Sequence, residues 1–362
     1  MRQFISKRPA AAPLRVMTTA IALLMCLGCE PVGHALEEEV DLLPPVFQGI
    51  AATGPNSVAV HFDEPVSVTV EAVRIEPPVA VHEVSDATEV DSATSVADAT
   101  GEFAAVVIVT EQPFAAGRRY TLHTTASDRR GNTTTFVAGF WGFNPRPPGL
   151  VINEFTPRGS KRRRDAIELY VTGAGNLGGV TLYDGVAGDY RDLVVLPPVE
   201  VAAGDYVVIH ATTDGLGEDE VDGPDTSSHE QAVAGAWDFW LAEGGGLSGN
   251  NGVITVYAAP DGALIDGVVY SNRTSESDDR YRGFGSKATL RRADTLAELG
   301  GWQFAGDLIA PEDAISSDAT TSTRSLSRGS SSTDTDSAAD WHTVPTRGAT
   351  FGAPNNDAVH EG

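Results

Sequence analysis

Residues 57–62, "SVAVHF", put Val58, Val60 and Phe62 on one side of an extended chain and polar or small residues on the other. A period of two predicts a strand with one buried face, because successive side chains of a strand point to opposite sides. The pattern recurs in "RYTLHTT" (119–125) through Tyr120, Leu122 and Thr124, whereas "FAAVVIVT" (103–110) is the near-continuous apolar run of a central strand. Turn chemistry punctuates these runs: "DRRGN" (128–132) offers Gly131 and Asn132 for positive φ. With 38 Gly and 21 Pro and abundant Val and Thr, the chain is built for many short strands. The predicted fold class is all-β.

About 100 residues, 45–144, carry this spacing, which suits an Ig-like sandwich. "VHFDEPVS" (60–67) and "YTLHTTASDRRGN" (120–132) resemble the bacterial Ig-like domain of S-layer-type surface proteins. The acidic stretch 83–102 reads as an inserted loop. "NPRPPG" (144–149) supplies a stiff proline linker at 145–149.

A second β domain is expected over 150–355. "LVINEF" (150–155), "AIELYV" (166–171), "VTLYDG" (180–185) and "DYVVIH" (205–210) read as successive strands, and 251–270 reads as a hairpin about Pro260-Asp261-Gly262. The pieces Ile152–Glu154, Ile167–Tyr170, Leu177–Asp184 and Asp261–Tyr270, with the closing "SLSR…DW…PTRG…PN", resemble the lamin-tail domain, which implies a second Ig-like β-sandwich. Two insertions, about 212–236 and 272–322, depart from that pattern. The second holds a helix candidate, 286–301, with Leu290, Ala293, Leu296, Ala297 and Leu299 on one side, Ser286 as cap and Gly300-Gly301 as stop. It is expected to cover an edge or end of the sandwich. Residues 356–362 form a tail. The expected whole is two Ig-like β-sandwiches in tandem, the second with insertions including a short helix.

The N-terminus carries an export signal. Arg2, Lys7, Arg8 and Arg15 precede the uncharged run "VMTTAIALLMCL" (16–27), which is too short for a spanning helix of about 20 residues. "CLGC" (26–29) resembles a bacterial lipobox, with Cys26 where leucine is usual. The resemblance implies a signal peptide over 1–28, lipidation of Cys29 and a tether over 29–44. The rival reading is plain secretion with a Cys26–Cys29 disulfide. Loss of residues 1–28 removes four basic residues and no acid, taking the formal charge from −25 to −29.

That charge disfavours nonspecific nucleic-acid binding, which needs a basic surface. Within it, Lys161, Arg162, Arg163 and Arg164 form a lone basic cluster, read as a solvated hairpin or a contact for an anion or nucleic acid. Asp334, Asp336 and Asp340 sit at a spacing suited to calcium, although the EF-hand glycine and terminal glutamate are missing. Glu154 and Glu168 lie on neighbouring strands and read as framework acids rather than an acid–base pair. "GAGNLG" (173–178) matches G-x-G-x-x-G, but a strand follows it and not a helix, so it reads as a glycine-rich turn. The eight histidines show no zinc-ligand spacing, and no G-x-S-x-G occurs.

Together these features predict a non-enzymatic envelope lipoprotein acting as a binding, adhesion or structural module. It would sit on the periplasmic face or cell surface, with a protein or envelope polymer as partner and calcium as the one cofactor to consider. Its contact patch could include Trp237, Phe239 and Trp240. An accessory subunit of an envelope enzyme or transport complex is one alternative, and a hydrolase with its site in the insertions is another.

Overall fold

The computed structural model describes residues 42–87, 104–212, 221–225, 229, 231–241, 244–260 and 262–361. The signal, Cys29 and most of the tether and of the 83–102 loop lie outside the described residues.

In the first part of the chain the strands are Phe47–Gly54 (β1), Ser57–Phe62 (β2), Arg74–Glu76 (β3), Val81–Ala87 (β4), Ala104–Thr110 (β5), Arg119–Ser127 (β6) and Thr133–Trp141 (β7). One sheet runs β1-β2-β5-β4 and the other β3-β6-β7, and every pairing is antiparallel. Lettered in chain order these sheets are ABED and CFG, the constant-type Ig arrangement. Val58, Val60, Phe62, Val106 and Ile108 from the first sheet meet Ile75, Tyr120, Leu122 and Phe140 from the second. Tyr120 opens β6 and its hydroxyl accepts the Ala115 N–H at 3.0 Å, which is the tyrosine corner of such sandwiches. The turn after β6 closes as expected: the Asp128 carboxylate accepts the N–H groups of Arg130 and Asn132, with Gly131 at φ +87°.

After the linker come Gly149–Thr156 (β8), Ala166–Gly173 (β9), Gly175–Asn176 (β10), Thr181–Val186 (β11), Asp189–Val195 (β12), Glu200–Val201 (β13), Tyr206–His210 (β14), Val221–Asp222 (β15), Ala236–Trp240 (β16), Asn251–Tyr257 (β17) and Leu264–Ser271 (β18). Ile315–Ser316 (β19), Leu326–Arg328 (β20) and Trp341–Thr343 (β21) complete the set. A five-stranded sheet, β12-β11-β17-β18-β19, packs on a seven-stranded sheet, β15-β16-β14-β9-β8-β20-β21. Ile152, Phe155, Ile167, Leu169, Val207 and Phe239 of the larger sheet share one core with Leu182, Val256, Val268 and Tyr270 of the smaller.

The helix forms at Lys287–Glu298 (α1). Ser286 Oγ accepts the Thr289 N–H at 3.1 Å. At the other end Gly301 N–H reaches Leu296 C=O and Gly300 N–H reaches Ala297 C=O, with Gly300 at φ +73°: a Schellman ending. Its expected place at an edge is corrected by the structure. It lies across the outer face of the five-stranded sheet, against β11, β12 and β17. Every residue of β17 is buried, so both faces of that strand need cover. The approach is close at Gly267, where a Cβ would fall 2.7 Å from a Leu296 methyl group. Leu299, placed on the apolar side by spacing, is 53% exposed, because the helix ends before it turns inward.

The linker is docked onto the second sandwich. Arg146 C=O accepts the Asn176 N–H at 2.7 Å, and Asn144 Nδ2 donates to the carbonyls of Asn176 and Gly178. A Cβ on Gly117, in the turn before β6, would lie 2.3 Å from Gly179 N. A Cβ on Gly178 would meet Ala116, and one on Gly175 would meet Arg146 and Pro148. The glycines of "GAGNLG" and its neighbour thus leave room for backbone of the linker and of the first sandwich, a packing role in place of a phosphate cradle.

Candidate functional site

The acids spaced for calcium surround a buried arginine. Asp334 and Asp336 come together with Asp266, from β18, so that one oxygen of each lies within 4.8 Å of the others. Arg328, at the end of β20 and 0% exposed, stands among them. Its Nη2 is 2.9 Å from Asp334 Oδ1 and 3.5 Å from Asp266 Oδ2, and its Nη1 is 3.2 Å from Asp340 Oδ2. Nε donates to Ile152 C=O at 2.7 Å, and the guanidinium lies 4.8 Å from the centre of the Trp341 ring. A buried guanidinium thus lies among the acids spaced for calcium, paired with Asp334 and Asp340. Burial pushes the Asp266 carboxyl up to about 7, while Arg328 pulls it down. Asp340 is turned toward Thr335, accepting both its N–H and its hydroxyl.

Glu154 and Glu168 face each other in the β8–β9 register, both fully buried. Glu154 accepts the hydroxyl of Ser325 and both the N–H and hydroxyl of Thr350. Glu168 accepts Asn153 Nδ2 at 2.8 Å and the Gly352 N–H at 2.6 Å. The pair pins the segment around 350–352 to the sheet. Desolvation pushes Glu168 up to about 8, with the neighbouring Glu154 charge adding to it.

A third cluster was not read from the sequence. His210 Nε2 lies 2.7 Å from Asp238 Oδ1, and His229 Nδ1 lies 2.9 Å from Asp222 Oδ2. The two imidazoles flank the Trp240 ring, His210 stacked on it at 4.9 Å and His229 edge-on at 4.9 Å. His210 and Asp238 meet because β14 and β16 pair in parallel, a register that sequence spacing cannot show. The expected contact patch is corrected here: Phe239 and Trp240 are fully buried on β16, and Trp237 packs partly against the core. Alternation along the strand turns Trp237 and Phe239 toward the sandwich core and Trp240 to the opposite face, where His210 and His229 cover it.

The basic cluster forms the turn between β8 and β9, closed by Ser160 N–H to Arg163 C=O and its reverse. Lys161, Arg162 and Arg163 are exposed and Arg164 is half-buried. Arg163 and Arg164 line a pocket of about 340 Å³ with Arg324, Arg347 and His210. A larger cleft of about 940 Å³ lies where the first sandwich meets the second, with Arg119 and Trp141 on one side and Tyr183, Tyr190 and Pro198 on the other.

Residues 148–343, more than half of the chain, match the family described as TP_1001 protein second domain. The chain belongs to this family. The TP_1001 second-domain match begins at the linker and ends with β21, so it takes in both sheets of the second sandwich. A relative, an uncharacterized protein of Treponema pallidum (strain Nichols), is 31% identical over 157 residues, 43% of this chain and 40% of that protein. The chain thus spans two-fifths of that relative's length. Among solved structures, the N-terminal part of the bacterial S-layer protein SbsC aligns over 63% of this chain and 43% of its own, at 15% identity and a TM-score of 0.23. Dimeric latent PorU from Porphyromonas gingivalis aligns over 63% of this chain and 20% of its own, at 12% identity and a TM-score of 0.18. No described helix of this TP_1001-family chain is long and apolar enough to cross a membrane.

Proposed function

We propose that this chain is an exported, lipid-anchored, non-enzymatic binding module of a bacterial envelope, held through Cys29. The lipobox-like "CLGC" supports the anchor, because two or more acyl chains hold a protein on a membrane where one chain binds only marginally. The lamin-tail resemblance of the second sandwich supports a presenting scaffold. One observation carries the non-enzymatic reading: the buried carboxylates that could serve acid–base chemistry are used to hold chain. Glu154 and Glu168 grip Thr350 and Gly352, and Asp266 accepts the N–H groups of Ile152 and Gly267 at 2.6 Å each. Held by fixed donors and buried inside the sandwich, they present no carboxyl to a substrate.

A hydrolase is the second reading. The two His–carboxylate pairs around Trp240 favour it, and Asp222 and His229 belong to the 212–236 insertion. One experiment separates the readings. Cells are labelled with a tagged fatty acid, and wild type and Cys29→Ser are fractionated and assayed against esters, phosphoesters, glycosides and peptides. Label and membrane retention in wild type, both lost in Cys29→Ser, with no turnover in either, is the expected result. Label persisting in Cys29→Ser overturns the anchor; turnover lost in His210→Ala establishes the hydrolase.

A further inference from the structure

We propose that the pocket between Arg163, Arg324 and Arg347 binds a phosphate group carried on a small ligand. The pocket opens where the β8–β9 turn, the loop leading into β20 and the loop after β21 meet the end of β14 and the segment before β16. Arg163, Arg164, Arg324 and Arg347 converge on it, with Ser322 and Thr323 beside them, and no carboxylate among the described residues lines it. In a chain with 50 acids and 25 basic residues, four arginines facing one cavity run against the general balance.

Elsewhere in the molecule some arginines are paired with acids and others, among them Arg118, Arg119 and Arg280, lie over aromatic rings. Arg74, Arg146, Arg191, Arg273, Arg282 and Arg328 each stand against a carboxylate. Arg163, Arg324 and Arg347 have no carboxylate partner among the described residues. Arg164 donates to Thr212 Oγ1 at 3.3 Å and is engaged further, so it forms the wall more than the grip.

Two of the three are placed by the fold. Arg347 N–H donates to Thr323 C=O at 2.7 Å, tying the two loops together, and Arg347 sits at φ +68°, a conformation few non-glycine residues adopt. Arg324 Nη1 contacts His360 Nε2, and its N–H and C=O bridge to Thr321. Arg163 projects from the closed Ser160–Arg163 turn.

Three guanidinium groups select among anions. The forks of Arg163 and Arg347 can each hold two oxygens of a phosphate; Arg324, whose Nε donates to Thr321 Oγ1 and whose Nη1 contacts His360, adds its charge and remaining N–H groups, and the hydroxyls of Ser322 and Thr323 add neutral donors. A monocarboxylate has two oxygens and satisfies one fork, leaving the others as like charges in close quarters. A pocket of about 340 Å³ is at the small end of ligand sites, with space for a phosphate and one sugar or glycerol unit.

This proposal rests on the binding-module reading and supplies its ligand class. Calorimetry on the full chain carrying Cys29→Ser, titrated with inorganic phosphate, glycerol 3-phosphate and acetate, tests it. Both phosphates should bind and acetate should not. Arg163→Gln with Arg347→Gln should weaken binding roughly tenfold or more, as expected for the loss of two charge-assisted forks. Both side chains are exposed, so the fold should persist by circular dichroism. Arg163→Lys gives a second measurement, keeping the charge but losing the fork, and should bind less tightly than wild type. Arg129→Gln, on the first sandwich, should bind as wild type does. No heat with either phosphate at millimolar concentration, equal binding of acetate, or indifference to the substitutions overturns the site. A lipid source is separated by phosphatidylglycerol vesicles: retention on vesicles that glycerol 3-phosphate fails to compete overturns the small-ligand proposal. Failure here leaves the fatty-acid labelling of Cys29 untouched, so the two readings fall separately.

Discussion

Glu168 has a folded pKa of about 8 against an ordinary value of 4.5, and Asp266 one of about 7 against 3.8, both raised by burial. Between pH 5 and 8 the folded chain therefore holds protons that the unfolded chain has released. Stability falls as pH rises wherever the folded state binds more protons. These two groups contribute most below their unfolded pKa values, and the contribution is lost as pH climbs through 7 and 8. The melting temperature should be higher at pH 5.5 than at pH 8.5, and Glu168→Gln should flatten that slope; an unchanged slope in the variant would refute the assignment. At this scale the sequence exposed types and not partners. The spacing of Asp334, Asp336 and Asp340 was visible, but Asp266 lies some sixty residues upstream of Arg328 and shares no local pattern with it. The Lys161–Arg164 run was likewise visible, while Arg324 and Arg347 look in sequence like solitary surface charges. Long-range side-chain convergence is set by strand order, and one sequence does not disclose strand order.

At the scale of elements the reading went further, because period and caps are local. The strands around Val58, Leu122, Ile167 and Val207 formed where alternation placed them. The helix after Ser286 began and ended on its caps. Its placement was missed, although a signal existed. "NGVITVY" is apolar at Val253, Ile254 and Val256 on both faces, and a strand of that kind needs cover on each side. Leu296 supplies part of that cover, fully buried against Gly267. Leu296→Ala should cost about 2–5 kcal/mol in chemical denaturation, the usual range for removing a buried leucine. A loss under about 1 kcal/mol would mean that the helix lies loosely on the sheet.

For the molecule as a whole, the junction between the sandwiches is the informative region. Proline content in 144–149 suggested a spacer, whereas the chain there is hydrogen-bonded to β10 and its neighbours. Gly117 and Gly179 come so near that a Cβ on Gly117 would lie 2.3 Å from Gly179 N, while one on Gly179 would lie 3.3 Å from Gly117 Cα. The salt bridge of Arg146 to Glu200 is largely exposed and adds little, so backbone contact holds the junction. Gly117→Ala places a Cβ against Gly179 N in a φ +72° conformation and should separate the two bodies. Small-angle scattering should show a larger radius of gyration. Scattering curves that superimpose would show that the junction tolerates the methyl group.

The grip of Glu154 and Glu168 has a consequence for biosynthesis. Their partners Thr350 and Gly352 follow 196 and 184 residues later. A chain made from its N-terminus shows both carboxylates long before their donors exist. The second sandwich can pair its strands through β21 and still enclose two acids without their backbone partners. Truncation just after Thr343, which removes Thr350 and Gly352, would therefore be as damaging as a lesion in the core, and completion of synthesis becomes a condition for closing the fold.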